Sequence, residues 1–274
     1  MFKFSKYHGA GNDFILSDDL FLLNQEESER EKIINLFCNR RLGIGADGLM
    51  LLENIPGNKL KVYYFNGDGK RGSLCGNGSR CALVFALNRG FVNSGLIDFW
   101  FWDTEYHANC EAGRIRIKMQ DIHLKENTEL GFFTDTGSPH LIREVDFSRI
   151  SKESLLEKAL HFRHHPHFKE GGGTNVNFIE PNSIDRNICQ VLTFERGVED
   201  FTYACGTGAV AIAGYLAWKY GSDGVYKIAS EGGTLEVKIG SYANEILSDV
   251  WLSGPVKKVF DGELNWDDFP LLEL

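Results

Sequence analysis

One tetrapeptide occurs twice, and it constrains the fold more than any other feature. Cys75-Gly-Asn-Gly78 returns as Cys205-Gly-Thr-Gly208, about 130 residues later in a chain of 274. Each copy follows a polar loop and opens a short apolar run, Cys81–Leu87 in one case and Ala209–Ala217 in the other. Each run ends at a basic residue followed closely by glycine, Arg89-Gly90 and Lys219-Tyr-Gly221. Helices stop in this way, so both runs are expected to be buried helices of about 12 residues. The chain should fold as two similar halves, each organised around a central helix.

The segments around those helices read as strands. Leu60–Phe65, Gly113–Lys118 and Thr234–Ile239 alternate or favour β-branched and aromatic residues. An earlier helix is expected from Glu26 to Arg40, with Asn24 as N-cap and Glu27 as its capping-box partner. Many short strands with few helices indicate an α+β protein. The boundary is placed near residue 120: an N-terminal half over 1–120, completed by a C-terminal strand at 263–274, and a second half over 121–262.

Composition narrows the function. Glycine is in excess, 30 residues of 274 or about 11% against a usual ~7%, so some backbone must bend sharply or approach a ligand closely. The net charge of −9 argues against a nucleic-acid surface, which needs basic residues facing phosphates. No apolar run nears the ~20 residues a membrane helix needs, and His8, Asn12 and Asp13 interrupt any signal-peptide core. A cytoplasmic location follows as an expectation. The six cysteines, 38, 75, 81, 110, 189 and 205, form no C-x-x-C pair and are expected to be thiols without a metal.

Gly43-Ile-Gly-Ala-Asp-Gly48 matches G-x-G-x-x-G, but a dinucleotide site needs a strand before it and a helix after it. Here a helix precedes and the strand-like Leu49–Leu52 follows, which indicates a tight turn. His161, His164, His165 and His167 are crowded around Pro166 without a nearby Asp or Cys ligand, and are expected in a solvated loop.

The repeated cysteines carry the chemistry. A thiol just before a helix N-terminus has its pKa lowered by the helix dipole and the unpaired backbone N–H groups. The same N–H groups suit a carboxylate. A cleft between two such halves would give one carboxylate two helix N-termini, with a thiol on either side. That arrangement suits removal of an amino acid's α-proton on one face and its return on the other, without pyridoxal phosphate. Cys38, Cys81, Cys110 and Cys189 lack this setting and are expected to be structural.

At this point the sequence resembles the diaminopimelate epimerase family over nearly its whole length. The shared motifs are His8-Gly-Ala-Gly-Asn-Asp-Phe14, Gly43–Gly48, Phe65-Asn-Gly-Asp-Gly69, Cys75-Gly-Asn-Gly-Ser-Arg-Cys81, Gly137-Ser-Pro-His140, Gly173-Thr-Asn-Val-Asn-Phe178, Glu195-Arg-Gly-Val198 and Ala204-Cys-Gly-Thr-Gly208. The resemblance implies two pseudo-symmetric domains, each a β-barrel-like sheet around a central helix, with the active site in the cleft between them. It implies a cofactor-independent isomerase that interconverts LL- and meso-2,6-diaminoheptanedioate, in lysine and peptidoglycan precursor synthesis. Cys75 and Cys205 would be the base and acid, assisted by His140 and Glu195. Gly76, Asn77, Gly206 and Thr207 would hold the reacting carboxylate, Arg196 the distal one, and Asn12, Asn66 and Asn175 the amide contacts. Homologues commonly close around substrate and pair as homodimers.

Three positions depart from the family pattern. Ser138 replaces a substrate-contacting asparagine, and a hydroxyl keeps only part of an amide's hydrogen bonding. Gly48 stands where some members carry a glutamine, and Glu199 where glycine is frequent. Two other readings stay open. One is a related histidine- or proline-type racemase on the same scaffold, which would have no use for Arg196 as a distal clamp. The other is a non-catalytic amino-acid-binding protein, which would have no use for the thiols.

Overall fold

The computed structural model describes residues 1–72, 74–181, 185 and 187–265. The chain divides into two compact units, Met1–Ile117 with the chain from Val256 onward, and Lys118–Pro255. The first unit runs β1 (Phe2–Gly9), β2 (Asn12–Ser17), α1 (Glu27–Cys38), β3 (Gly48–Ile55), β4 (Lys59–Asn66), α2 (Gly76–Asn88), β5 (Gly95–Phe101), β6 (Thr104–Glu111) and β7 (Arg114–Lys118). The second begins with β8 (Ile122–Thr128), β9 (Gly131–Asp135), β10 (Pro139–Glu144), α3 (Lys152–Arg163), β11 (Asn175–Pro181) and β12 (Ile188–Glu195). It ends with the short β13 (Asp200–Thr202), α4 (Gly206–Tyr220), β14 (Gly224–Ser230), β15 (Gly233–Ala243) and β16 (Ile246–Ser253). β17 (Val256–Leu264) then returns to β1, paired antiparallel from Phe2↔Leu264 to Gly9↔Val256.

The division falls slightly before the expected residue 120 because Met119 N–H already bonds the Val250 carbonyl at 2.9 Å and Lys118 pairs with Asp249. The returning strand begins at Val256, earlier than the expected 263–274; positions 266–274 lie outside the described residues.

The repeat is written into the strand pairing. In the first unit, β1 to β7 pair in chain order as antiparallel, parallel, antiparallel, parallel, antiparallel, antiparallel. In the second, β9, β10, β11, β12, β14, β15 and β16 follow the same series. There β8 bridges β16 and β9, closing a ring of eight strands. A parallel pair cannot be joined by a hairpin and needs a crossover. The four parallel pairs are where the four helices lie: α1 and α3 at the first crossover of each series, α2 and α4 at the second.

α2 and α4 are the two expected helices, and each is buried around most of its circumference. Residues 77–83 are buried in α2 and residues 208–214 in α4, as expected of helices enclosed by sheet. α2 packs on β1, β2, β3 and β17; α4 packs on β8, β9, β10, β11, β14, β15 and β16. α1 and α3 cover other sheet surface: Ile33, Ile34 and Phe37 join Phe2, Ile15 and Leu49, and Leu155 and Ala159 join Val176, Phe178 and Phe194. β3 is therefore covered on both faces, and its first five residues are all buried, which explains an unbroken apolar run in place of alternation.

Three local expectations need correction. α1 spans Glu27–Cys38 with Glu26 as N-cap and no side-chain cap bond, in place of 26–40 with Asn24. Asn24 ends a 3-10 turn, Phe21–Asn24, whose Leu23 and Gln25 N–H groups bond Leu20 and Leu22 carbonyls. At the other end, Asn39 Oδ1 accepts from the N–H groups of Arg41 and Leu42, both at 2.9 Å, and this Asx turn stops the helix before Arg40. The histidine cluster is exposed or half-buried as expected, but only His164 and His165 lie in a loop; His161 is in the last turn of α3 and His167 in a 3-10 turn, Pro166–Gly171.

The Gly43–Gly48 segment is a turn that folds back onto α1. The N–H groups of Ile44, Gly45 and Ala46 bond the Phe37 and Cys38 carbonyls, each at 3.0 Å. These donors therefore cap a helix and are not presented to a phosphate. A Cβ at Gly43 would lie 2.0 Å from the Leu36 carbonyl oxygen, so the return is possible only at glycine.

Candidate active site

Each unit presents a cysteine as the N-cap of its enclosed helix. Cys75 and Cys205 have nearly the same backbone, φ −116°, ψ 114° and φ −115°, ψ 117°. In each, the thiol sulfur accepts the N–H three residues on, from Gly78 and Gly208, both at 3.4 Å. The first N–H groups of each helix, at Gly76-Asn77 and Gly206-Thr207, are those a helix cannot satisfy internally, and they stand beside the thiols. The other cysteines are all buried thiols.

In the first unit Asn12, Asn66 and Cys75 come together through the sheet register. Phe14 pairs with Gly48 and Gly48 with Asn66, so the start of β2 and the end of β4 share one edge. Asn12 Oδ1 lies 3.5 Å from the Cys75 sulfur, and its amide nitrogen donates to Asp47 at 2.6 Å. Asn66 is exposed, and its backbone closes the turn through Lys70 and Gly69. At Gly48 a Cβ would meet the Tyr64 ring and Phe65 oxygen at 2.6 Å, so no side chain could point there without displacing them. Asn77 is buried and accepts from Arg80 Nη2 at 2.7 Å, while Arg80 Nη1 holds the Gly76 carbonyl at 3.0 Å. The fully buried guanidinium thus ties down the first turn of α2.

Behind Asn12 lies an ion network that the sequence reading missed. Asp13 binds Lys6 at 2.8 Å and Arg40 through both carboxylate oxygens, and Arg40 also reaches Asp47 at 2.7 Å. Burial would raise the Asp13 carboxyl, but hydrogen bonds from Arg40 and Lys6 and their charges hold it at about 2. Because this value lies below the ordinary 3.8, the network stabilises the fold above about pH 4 and is lost as pH falls toward 2. Asp13→Asn should cost about 1–2 kcal/mol near neutrality after solvent screening is allowed for. Urea unfolding should show the gap from wild type closing at acid pH.

In the second unit Ser138, His140, Asn175, Glu195, Arg196 and Thr207 gather at the corresponding strand ends beside α4. His140 pairs with Asn175 in the β10–β11 register, and Val176 with Phe194. His140 is fully buried. Asn177 donates its amide to His140 Nδ1 at 3.1 Å and to the Leu141 carbonyl at 3.1 Å, while its oxygen accepts from Thr193 at 2.9 Å. This network assigns the ring proton to Nε2, which faces Ser138 Oγ and Thr207 Oγ1, both at 3.0 Å. Burial, then the charge of Arg196, push the imidazole down to about 3, so it is neutral. The ring therefore donates to Thr207, whose hydroxyl lies 3.4 Å from the Cys205 sulfur.

Cys205 departs from expectation. The Gly208 N–H and Thr207 hydroxyl do favour the thiolate, but burial and then the neighbouring Glu195 carboxylate outweigh them, and the thiol is pushed well up. Glu195 hydrogen-bonds the thiol and is itself held by Thr202 Oγ1 at 2.5 Å. Cys205 is thus held as the thiol, hydrogen-bonded to the Glu195 carboxylate. Asn175 Oδ1 accepts the Arg196 backbone N–H at 2.8 Å, and its nitrogen donates to the Pro139 carbonyl at 2.9 Å. The Arg196 side chain is exposed, with Nη1 on the Gly171 carbonyl at 2.8 Å.

Asn177 and Thr193 also went unassigned. Their signal was available: Asn175 and Asn177 alternate with Val176 and Phe178 at the start of β11, and such polar residues need buried partners. Among the described residues, Asp98, Glu105 and His107 could together hold a metal, their ligand atoms within 4.8 Å. They are far from buried, and His107 already bonds Asp98 at 2.9 Å. Among those residues no helix is long and apolar enough to cross a membrane.

The comparisons agree with the repeat. The diaminopimelate epimerase family model matches the chain twice, over residues 4–131 and 132–259. A diaminopimelate epimerase of Flavobacterium psychrophilum is 34% identical, covering 94% of this chain and 98% of its own. One of Aquifex aeolicus is 35% identical, with 96% and 98% covered. Among solved structures, a probable proline racemase from Agrobacterium radiobacter K84 superimposes with a TM-score of 0.68 at 15% identity, covering 98% of this chain and 94% of that one. That likeness concerns the fold. With one N-cap thiol in each half and a family match spanning both halves, the chain belongs to the diaminopimelate epimerase family, whose members are isomerases.

Proposed function

We propose that this protein interconverts LL- and meso-2,6-diaminoheptanedioate by moving the α-proton between Cys75 and Cys205. The observation that carries the reading is the duplicated N-cap thiol, each sulfur beside helix N–H donors. One thiolate takes the α-hydrogen and becomes a thiol; the electron pair left on carbon spreads into the carboxylate. Helix-terminal donors at Gly76, Asn77, Gly206 and Thr207 stabilise that charge where it develops. The second thiol returns a proton to the opposite face and becomes the thiolate, so the two cysteines exchange protonation states in each turnover. Cys75 and Cys205 exchange the roles of base and acid with reaction direction, and Glu195 stands beside the Cys205 thiol. His140 supports Cys205 through Thr207. Arg196 grips the distal carboxylate, assisted by Asn175, Ser138, Asn12 and Asn66. No pyridoxal phosphate or metal enters this scheme. Family membership supports a cytoplasmic homodimer, which sedimentation of the purified protein would check.

Proton NMR in D2O with LL-diaminoheptanedioate, without pyridoxal phosphate, tests the reading. Deuterium at an α-carbon together with meso product is the expected result. Exchange on histidine or proline alone would keep the chemistry and overturn the substrate; no exchange from folded, reduced protein would overturn the enzyme. Arg196→Lys should lower kcat/KM for the dicarboxylate about 10²-fold, since an ammonium cannot replace a bidentate fork. An unchanged kcat/KM would remove Arg196 from the distal site.

A further inference from the structure

Glu199 sits in the left-handed region at φ 59°, where a non-glycine residue is uncommon and strained. It is nevertheless anchored. Its Oε1 accepts from Arg163 Nε at 3.0 Å, Arg163 Nη2 at 2.9 Å and the Gly197 N–H at 2.9 Å, and its own N–H bonds the Glu195 carbonyl at 2.8 Å. Arg163 is buried, and its remaining Nη1 holds the Gly172 carbonyl at 2.8 Å. A Cβ at Gly173 would lie 1.7 Å from that Nη1, so the guanidinium fills the space a side chain would need. The 171–173 segment in turn carries Arg196, whose Nη1 bonds the Gly171 carbonyl at 2.8 Å and the Gly173 carbonyl at 3.4 Å. The connections close on themselves. The turn bearing Arg196 is pinned by Glu199, Glu199 by Arg163, and Arg163 holds the carbonyl segment on which the Arg196 guanidinium rests.

We propose that the Arg163–Glu199 pair is a strap that fixes the Arg196 guanidinium for a dicarboxylate ligand, a positioning role that rests on the reading of Arg196 given above. Glu199 tolerates its strained backbone because the carboxylate recovers three donors, two of them charged. Glycine at this position would relax the backbone and remove the strap. Arginine 163 needs no contact with the ligand; it acts through the 171–173 segment.

The test is calorimetric binding of pimelate, a seven-carbon dicarboxylate without amines, to wild type, Glu199→Gly, Glu199→Gln, Arg163→Met and the Glu199→Gly/Arg163→Met double variant, with turnover measured alongside. Glu199→Gly and Arg163→Met should each weaken pimelate about 10-fold and raise KM similarly with kcat changed under about 3-fold. The double variant should be no weaker than either single, because one connection is cut twice. Glu199→Gln, which keeps an acceptor, should fall between. Wild-type pimelate affinity in both single variants would overturn the strap, as would a lowered melting temperature without a change in affinity. Pimelate binding by a wild type that fails to epimerise would instead overturn the enzymatic reading and leave the strap to be judged on affinity.

Discussion

Cys75→Ser and Cys205→Ser should each reduce epimerisation at least ~10³-fold without loss of the fold. A hydroxyl is a far weaker acid than a thiol and a poor proton carrier at neutral pH, and positioned acid–base groups contribute ~10²–10⁴-fold each. Inversion needs one residue on each face of the α-carbon, so neither variant should be rescued by the other cysteine. Stability should behave in the opposite way. Both cysteines are N-caps whose sulfur accepts one backbone N–H at 3.4 Å, and serine is among the preferred N-cap residues, better by about 1 kcal/mol than residues that cannot cap. Melting temperatures should therefore be unchanged or slightly raised while turnover collapses. Retention of more than a tenth of wild-type activity by either variant would exclude the thiol pair. A parallel loss of melting temperature would mean that the cysteines serve packing.

Alkaline pH should destabilise the protein steeply. Burial pushes the Cys38 and Cys189 thiols up to about 12 and raises Cys81 further, all from an ordinary 9.0. These residues are at most 5% exposed, so little screening applies. The sign follows from proton counting. Above pH 9 the unfolded chain loses these protons and the folded chain keeps them, so stability falls as pH rises. By pH 10 each thiol should cost about 1.4 kcal/mol and the three together about 4 kcal/mol, a large part of a typical ~5–15 kcal/mol. Urea midpoints at pH 8 and pH 10 measure this directly, and Cys189→Val should lessen the drop by about a third. Midpoints that do not move would mean that these thiols meet water in the folded protein.

The local features were legible because their causes are local. The two helices were readable from the cap cysteine, the apolar run and the closing glycine, all within one segment, and Gly90 and Gly221 do adopt positive φ. The Gly43–Gly48 turn was readable from the order of its neighbours. The limits of α1 were not, because a turn built by residues 20–25 and the Asx turn at Asn39 compete with the helix through bonds that propensity does not count. The two cap thiols were readable from the repeat and the other candidate residues only from resemblance, while the partners that hold them, Asp47, Asn177, Thr193 and Arg163, were missed.

By itself the sequence determined which groups are available: two cap thiols, and helix starts that present N–H donors. Tertiary structure decided their chemical state. Cys205 is a strong cap yet stays protonated, because burial and Glu195 outweigh its donors. His140 is a donor because Asn177, 37 residues away, takes its other nitrogen. Glu199 holds a glycine-like backbone because Arg163, 36 residues away, meets its carboxylate. Availability is a property of residue type and near neighbours. Protonation and orientation depend on desolvation and on partners that only folding brings within hydrogen-bond distance.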